Sequence, residues 1–263
     1  MKGPLLARGW LVTLTGLLLA ASALAAQAES TLDSVLAKGQ LRVCTTGDYR
    51  PFTYFDSAKD HYEGIDIDMA NSLAKSLGVK VDFVRTSWPD LMKDFTAGKC
   101  DIAMGGISVN LKRQQKAYFS IPYVVDGKTP ITLCKNKHKY QTLAQIDRPD
   151  VTVIVNPGGT NEHFDREHLK KAKILMFKDN TKIFDELLAG KADLMITDGV
   201  ETRLQSKLHP KLCAVHPDHP FTYSEKGYLL PLGDNVWKAY VDQWLHQEKA
   251  SGAFQKVYDH WLK

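Results

Sequence analysis

The sequence has no strong excess of charge of either sign. Its 34 lysine and arginine residues stand against 30 aspartate and glutamate residues, which gives a formal net charge of +4 at pH 7 over 263 residues. Nucleic-acid-binding domains are typically more basic and gather their cations on one face. The composition therefore argues against nucleic acid as a partner.

Motifs of metal, redox and nucleotide chemistry are also missing. The nine histidines form no HExxH pattern, and none of the four cysteines has CxxC spacing. The glycine-rich stretch 156–162 lacks both the Gly-Lys-Ser/Thr of a P-loop and the spacing of a dinucleotide fingerprint. We therefore predict no metal and no cofactor.

Apolar runs long enough to span a membrane are absent as well. The run at 10–21 is too short for a good span, and it follows Lys2 and Arg8 as the core of an export signal does. Small residues come next, with cleavage motifs ending at Ala25 and Ala28. We predict a signal peptide over 1–28 and a periplasmic chain. Without a cysteine at the cleavage region, we expect no stable membrane anchor.

Four cysteines in an exported protein make disulfides plausible, and three pairings exist if all four are used. Cys134 ends one apolar run and Cys213 begins another, both in the second half of the chain. This placement favours a Cys134–Cys213 bond. The sequence does not decide how Cys44 and Cys100 are used.

The chain contains one phrase twice. Residues 97–104 read AGKCDIAM, and residues 189–196 read AGKADLMI, 92 positions later. Each copy follows an amphipathic stretch, stops at a glycine and continues as an apolar run, which predicts a helix, a Gly C-cap and a buried parallel strand. Ligands of open α/β sheets bind beyond the carboxyl ends of the strands, so we expect a site between two lobes.

The order of segments predicts a discontinuous first lobe. Extended stretches near 128–133 and 223–231 cross between the lobes, and the last helices return to the first one. We assign 29–130 plus 226–263 to lobe 1 and 131–225 to lobe 2. Two crossing strands form a hinge that suits bending closure.

Several candidate residues have two interpretations on pattern alone. Arg113 is either a ligand or a solvated surface charge, and Trp88 is either a wall of the cleft or a core residue. The turn 156–162 enters a helix whose amide groups can bind a carboxylate, or it is a mere tight turn. Asp198-x-x-Glu201 has the form of a capping box.

Four motifs together resemble the periplasmic polar amino-acid-binding proteins. They are Gly106-Ile107-Ser108-x-x-x-x-Arg113, Phe119-Ser120-x-Pro122-Tyr123, Gly159-Thr160 and Ala192-Asp193-x-x-x-Thr197-Asp198. The resemblance implies an α/β, two-lobe, periplasmic-binding-protein-like (type II) fold with a central cleft and a two-strand hinge. It implies that Arg113 binds an α-carboxylate bidentately, together with Ser108 and Thr160. It also implies that Asp198 binds the α-amino group and that Phe52 covers the ligand side chain.

Longer motifs in both lobes resemble a narrower family, the periplasmic cyclohexadienyl dehydratases. They are Thr45-Thr46-Gly47-Asp48-Tyr49-x-Pro51-Phe52, Thr86-Ser87-Trp88-Pro89, the segment 126–134, the turn 156–162 and Thr197-Asp198-x-x-Glu201-x-Arg203-Leu204-Gln205. That family converts prephenate to phenylpyruvate and L-arogenate to L-phenylalanine. The resemblance implies a lyase of phenylalanine biosynthesis.

This reaction loses CO2 and a ring hydroxyl together, and the hydroxyl leaves poorly unless it is protonated. The resemblance places the general acid at Glu201, in competition with the capping interpretation. Burial and nearby carboxylates would have to raise its pKa. Asn161 would hydrogen-bond the departing hydroxyl or hold Glu201 in place.

The same resemblance implies how a substrate would be held. Arg113, Ser108 and Thr160 would bind the carboxylate that survives, while Trp88, Tyr49 and Phe52 would form an apolar wall against the ring. Asp198 suits the amino group of arogenate. For prephenate it would have to be protonated or turned away, and the sequence leaves both open.

An alternative function is a non-catalytic amino-acid receptor that delivers its ligand to an ABC importer. The discriminating feature is an acid at Glu201 with Asn161 opposite it. Oligomeric state, including a homo-oligomer, and the preference between prephenate and arogenate stay open.

Overall fold

The structure is a computed structural model that describes residues 29–262. The predicted signal peptide at 1–28 therefore lies outside the described residues. Within 29–262, no helix combines the length and the apolar character that crossing a bilayer requires.

The strands are short, and most are buried on at least one side. In chain order they are β1 (Gln40–Thr45), β2 (Asp48–Tyr49), β3 (Thr53–Asp56), β4 (His61–Glu63), β5 (Lys80–Arg85), β6 (Ile102–Ala103), β7 (Ala117–Phe119), β8 (Val124–Asp126), β9 (Lys128–Leu133), β10 (Thr152–Val155), β11 (Lys173–Met176), β12 (Leu194–Asp198), β13 (Leu212–Ala214), β14 (Ser224–Lys226) and β15 (Leu229–Pro231).

Helices alternate with the strands in both halves. They are α1 (Thr31–Lys38), α2 (Ile65–Leu77), α3 (Leu91–Thr96), α4 (Leu111–Gln114), α5 (Leu143–Ile146), α6 (Thr160–His168), α7 (Ile183–Leu188), α8 (Gly199–Leu208), α9 (Asn235–Ala250) and α10 (Ala253–Leu262). Short 3₁₀ turns cover Cys134–Lys139 and Asn180–Lys182.

Two five-stranded sheets carry the two lobes. The first has the order β5-β1-β6-β15-β7 and the second β11-β10-β12-β9-β13. In each sheet parallel strands with helical connections are followed by antiparallel ones, β15 in the first and β9 and β13 in the second. The predicted α/β, two-lobe architecture is confirmed.

The repeated phrase occupies the same position in both sheets. In each copy a short helix ends, a glycine turns the chain, and a buried strand follows that pairs in parallel with its neighbour. Gly98 and Gly190 both have φ +72°, a left-handed conformation that favours glycine because it has no Cβ. The predicted helix, glycine cap and parallel strand are thus confirmed in both copies.

The crossing between the sheets is a two-stranded ribbon of β8 and β14, which pair antiparallel. The predicted two-strand hinge is present, but its first strand is β8 and not the predicted stretch near 128–133, because that stretch pairs as β9 within the second sheet. β9 then pairs with β12 from Lys128 onward, where Lys128 faces Asp198. The boundary predicted at residue 130 therefore falls inside a strand of the second sheet, and the lobe bounds stay a prediction.

Each sheet is tied by one disulfide. Cys134 is bonded to Cys213, as the sequence favours, next to the β9–β13 pair. Cys44 on β1 is bonded to Cys100, which precedes β6. No described cysteine is free.

Candidate active site in the cleft

Three cavities lie along the cleft between the lobes. The central cavity has a volume of about 20 Å³, enough for about one water molecule, and residues of both lobes line it. Its walls include Tyr49, Trp88, Ser108, Thr160, Asn161 and Asp198. The arginine-side cavity shares Trp88 and Thr160 with it and contains Arg113. The glutamate-side cavity shares Asn180 with it and contains Glu201.

Two lysines inside the cleft were not anticipated from the sequence. Lys128 and Lys226 are 4% and 0% exposed, and they lie at the start of β9 and at the end of β14. A lysine this deeply buried is rare unless it is paired. The sequence contains one indication of the buried Lys128: it stands at the start of the apolar strand β9, where a charged side chain needs a buried partner.

That partner is Asp198. Its Oδ1 accepts from Lys128 Nζ at 2.8 Å, and its Oδ2 accepts from Lys226 Nζ at 2.6 Å and from the Tyr49 hydroxyl. Burial alone would raise the pKa of Asp198, but the two ammonium groups hold it well below its ordinary value. Asp198 is thus an ion-paired carboxylate, and it is not the unpaired acceptor that an α-amino group would need.

Glu201 stands in the opposite environment. It is 1% exposed, and its Oε2 accepts a hydrogen bond from the Thr197 hydroxyl at 2.6 Å. Burial raises the pKa of Glu201 to about 8, and the negative charges of Asp198 and Asp48 contribute to the increase. The carboxyl group is therefore mostly protonated at neutral pH.

A third acid, Asp126, binds the start of α8. The backbone N–H groups of Gly199 and Val200 donate to the two carboxylate oxygens of Asp126, at 2.9 and 3.0 Å. Asp198 occupies the N-cap position of α8 without making a side-chain cap bond. The capping-box interpretation of Asp198 and Glu201 is therefore wrong, because Asp198 binds two lysines and Glu201 binds the Thr197 hydroxyl, while Asp126 on β8 binds the first amides of α8.

Asn161 links the lysine to the acid. Its amide Nδ2 donates to Thr197 Oγ1 at 3.0 Å, and its Oδ1 accepts from Lys128 Nζ, which also donates to Thr160 Oγ1 at 3.1 Å. Since the Thr197 oxygen accepts from Asn161, its own proton is directed to Glu201 Oε2. The proton of Glu201 is then left on Oε1, where it can be donated.

The predicted carboxylate clamp is brought together only in part. Arg113 is half-buried, and its Nη1 donates to the backbone carbonyl of Ser108 at 2.9 Å. Burial lowers the pKa of Arg113 to about 10, which leaves it cationic at neutral pH. Thr160 lines the arginine-side cavity beside it, whereas the Ser108 hydroxyl accepts from Lys226 at 2.8 Å and lines the central cavity.

Two of the three predicted aromatic walls face the central cavity. Tyr49 and Trp88 meet edge to face with ring centroids 5.6 Å apart, and Trp88 Nε1 donates to Asp48 Oδ1 at 3.0 Å. Phe52 does not reach the cavity, because it is fully buried in the core of the first lobe. There it stacks on Tyr49 at 5.4 Å and supports that ring from behind.

Metal ligands are not grouped anywhere in 29–262: no three His, Cys, Asp or Glu side chains there are placed to hold an ion. The titratable groups of the cleft are instead paired with lysines and hydroxyl groups. This arrangement is suited to holding an anion and donating one proton.

The fold and this cleft define a class of protein. Residues 41–263 match the family model of bacterial extracellular solute-binding proteins, family 3. The match spans most of the chain, and the chain belongs to this family.

Individual relatives within that class include an enzyme. A cyclohexadienyl dehydratase of Pseudomonas aeruginosa is 59% identical over 246 residues, which cover 94% of this chain and 91% of that protein. A crystal structure of an ancestral cyclohexadienyl dehydratase is 56% identical over 90% of this chain and 98% of that chain, with a TM-score of 0.57. An ancestral amino-acid-binding protein, described as a precursor of cyclohexadienyl dehydratase, has a TM-score of 0.83 at 38% identity, covering 89% and 100%.

Proposed function

We propose that this chain is a cyclohexadienyl dehydratase, a lyase that converts prephenate to phenylpyruvate and L-arogenate to L-phenylalanine. Both binding proteins and an enzyme share its fold, so the fold alone does not decide between them. The observation that carries the proposal is Glu201, a buried and protonated acid at the end of the cleft. A receptor that only binds an amino acid has no use for such a group, and the 59% identical relative is named as this enzyme.

The three cavities offer separate places for the two ends of the substrate. Arg113 lies in one cavity that adjoins the central cavity and Glu201 lies in another, and these two cavities share no lining residue. In prephenate and arogenate the side-chain carboxylate and the ring hydroxyl stand at opposite ends of the ring. Arg113 with Thr160 holds the carboxylate, and the hydroxyl points to Glu201.

The reaction then needs one proton from the protein. Glu201 donates its Oε1 proton to the ring hydroxyl, the C–O bond breaks, and water leaves. The electron pair of the bond to the ring carboxylate enters the ring as CO2 departs, and the ring becomes aromatic. Tyr49 and Trp88 pack against the flat product. Asn161 and Thr197 hold the acid in position.

The charges of the cleft favour prephenate over arogenate. Lys128 and Lys226 both bind Asp198, the carboxylate that lines the central cavity, and compensate its charge. The ammonium group of arogenate would therefore find no unpaired carboxylate in this cavity, whereas prephenate needs none. Asp198 need be neither protonated nor turned away for prephenate, since its charge is compensated.

The enzyme is exported in this proposal. The family description is extracellular, and residues 1–28 would be removed near Ala25 or Ala28 to release the mature chain into the periplasm. Lobe 1 then begins at residue 29 and is completed after the return crossing, and lobe 2 lies between the crossings.

Purified mature chain tests the function directly. Incubation with prephenate and, separately, with arogenate should give phenylpyruvate and phenylalanine faster than the spontaneous reactions. Calorimetry with a panel of amino acids tests the receptor alternative in the same preparation. Tight binding of an amino acid without any turnover would contradict the proposal and support the receptor.

A further inference from the structure

Glu201 lines a cavity other than the central cavity. It lines the glutamate-side cavity, which has a volume of about 300 Å³, while Asn161, Asn180 and Asp198 line the central cavity. Glu201 Oε1 receives no hydrogen bond from any residue in 29–262. The acid therefore lines the glutamate-side cavity, and its hydrogen bond to Thr197 connects it to Asn161 in the wall of the central cavity.

One face of α8 leads from this acid to the surface. Glu201, Gln205 and His209 are spaced four residues apart and all line the glutamate-side cavity. Exposure increases along this row: Glu201 is 1% and Gln205 6% exposed, and His209 at the helix end is half-buried. The cavity thus has a polar wall that begins at the buried acid and ends near solvent.

The proposed reaction requires a proton supply, and the inference rests on that proposed function. Prephenate with two negative charges becomes phenylpyruvate with one, together with CO2 and water, so each turnover takes up one proton. Glu201 gives that proton to the leaving hydroxyl and becomes a carboxylate. It must regain a proton before the next turnover, although it is buried and the central cavity is small.

We propose that the glutamate-side cavity is the route by which a proton from solvent returns to Glu201, with Gln205 and His209 as its polar wall. Water in this cavity connects the imidazole at the mouth to the carboxylate inside. The water molecule formed from the leaving hydroxyl enters the same space. A substrate in the central cavity then does not block the return of a proton to Glu201.

Other charged groups around the cavity set its electrostatics. They come from the first lobe, from the 3₁₀ turn after β11, from α7 and from α8 itself: Asp48, Arg50, Tyr54, Lys182, Asp185 and His209. Arg50 is ion-paired with Glu63 at 2.9 Å, and Asp48 is bonded to Trp88. This mixture of signs is compatible with a neutral, water-filled passage.

The test separates the first turnover from the following ones. In weak buffer at pH 7.5, rapid mixing of wild type and prephenate should give a linear time course. His209→Ala and Gln205→Leu should show a normal first turnover of one product per site and then a steady-state rate lower by about tenfold or more, because positioned proton transfer contributes roughly 10²–10⁴-fold. His246→Ala, on the outer side of α9, is the matched control and should behave as wild type.

Chemical rescue identifies the cause. Added imidazole should restore the steady-state rate of His209→Ala without changing its first turnover. Unchanged steady-state rates in both variants, or a first turnover slowed as much as the later ones, would overturn the proposal. Wild type without any turnover would instead contradict the proposed function itself, and the inference with it.

Discussion

Asp198 and Glu201 lie three residues apart at the start of α8, yet their carboxyl groups are held in opposite protonation states. Asp198 accepts from Lys128 and Lys226 and keeps a depressed pKa, whereas Glu201 meets a neutral hydroxyl and has its pKa raised to about 8. Two carboxyl groups whose environments separate their pKa values are a common arrangement for acid catalysis. The chemical asymmetry of the cleft arises from this pair.

Activity should decline in alkali because the reaction needs the protonated form of Glu201. We expect kcat/KM for prephenate to be constant near neutrality and to fall as pH rises through about 8, where Glu201 ionises. Asp48→Asn removes a negative charge that raises this pKa, so its alkaline limb should move to lower pH. Initial rates of wild type and Asp48→Asn across pH 6 to 10 check both expectations. If activity fell at the same alkaline pH in the two proteins, Glu201 would not be the titrating group.

The same pKa makes a prediction about folding. Between the ordinary glutamate value of 4.5 and about 8, folded Glu201 keeps a proton that the unfolded chain has lost. The free energy of unfolding should therefore fall with increasing pH in this window, by up to about 1.4 kcal/mol per pH unit from this group. Glu201→Gln should lack that contribution. Urea unfolding at pH 5.5, 7 and 8.5 measures it, and parallel pH curves for the two proteins would contradict the assignment.

Asp198 should matter more for stability than an exposed aspartate does. Asp198→Asn leaves Lys128 and Lys226 buried without their charged partner, and breaking a buried pair costs roughly 3–5 kcal/mol. Asp218→Asn is the matched control, because its pair with Arg203 is exposed and such pairs contribute about 0–1 kcal/mol. Chemical denaturation measures the free energy of unfolding of both variants. An equal decrease in the two would mean that the buried lysine pairs stabilise the fold little.

Substrate preference follows from the same ion pairs. We expect a higher kcat/KM for prephenate than for arogenate, since two lysines already bind Asp198 and leave no unpaired carboxylate for an ammonium group. Lys226→Met removes one of these partners from Asp198 and should narrow the ratio by improving arogenate relative to prephenate. Parallel assays of both substrates provide the measurement. A wild-type preference for arogenate would mean that Asp198 leaves its lysines when substrate binds.

Much of the fold could be predicted because its signals are local. The repeated phrase with its glycines predicted two matching helix–strand units, and apolar runs predicted the sheets and the favoured disulfide. Glu201, Asn161 and Tyr49 were placed in the cleft region by resemblance to a known family. These residues belong to motifs that stay contiguous in the chain.

The parts that could not be predicted depend on contacts between distant segments. Lys128 on β9 and Lys226 on β14 meet Asp198 only because the fold brings these two distant strands to the same part of the cleft. Asp126 accepts a hydrogen bond from the first amide of α8, although it lies 73 residues before Gly199 in the sequence. Phe52 follows Tyr49 closely, but the fold turns its ring into the core. Spacing along the chain carries no information on such partners.

In the proposed reaction, Glu201 is the acid that protonates the leaving hydroxyl. The most direct test is the rate of phenylpyruvate formation from prephenate by Glu201→Gln beside wild type, with phenylpyruvate binding to both measured by calorimetry. We expect the variant to have a kcat lower by roughly 10²–10⁴-fold with product binding retained, because glutamine fits the site but donates no acidic proton. Near-normal turnover by Glu201→Gln would contradict it.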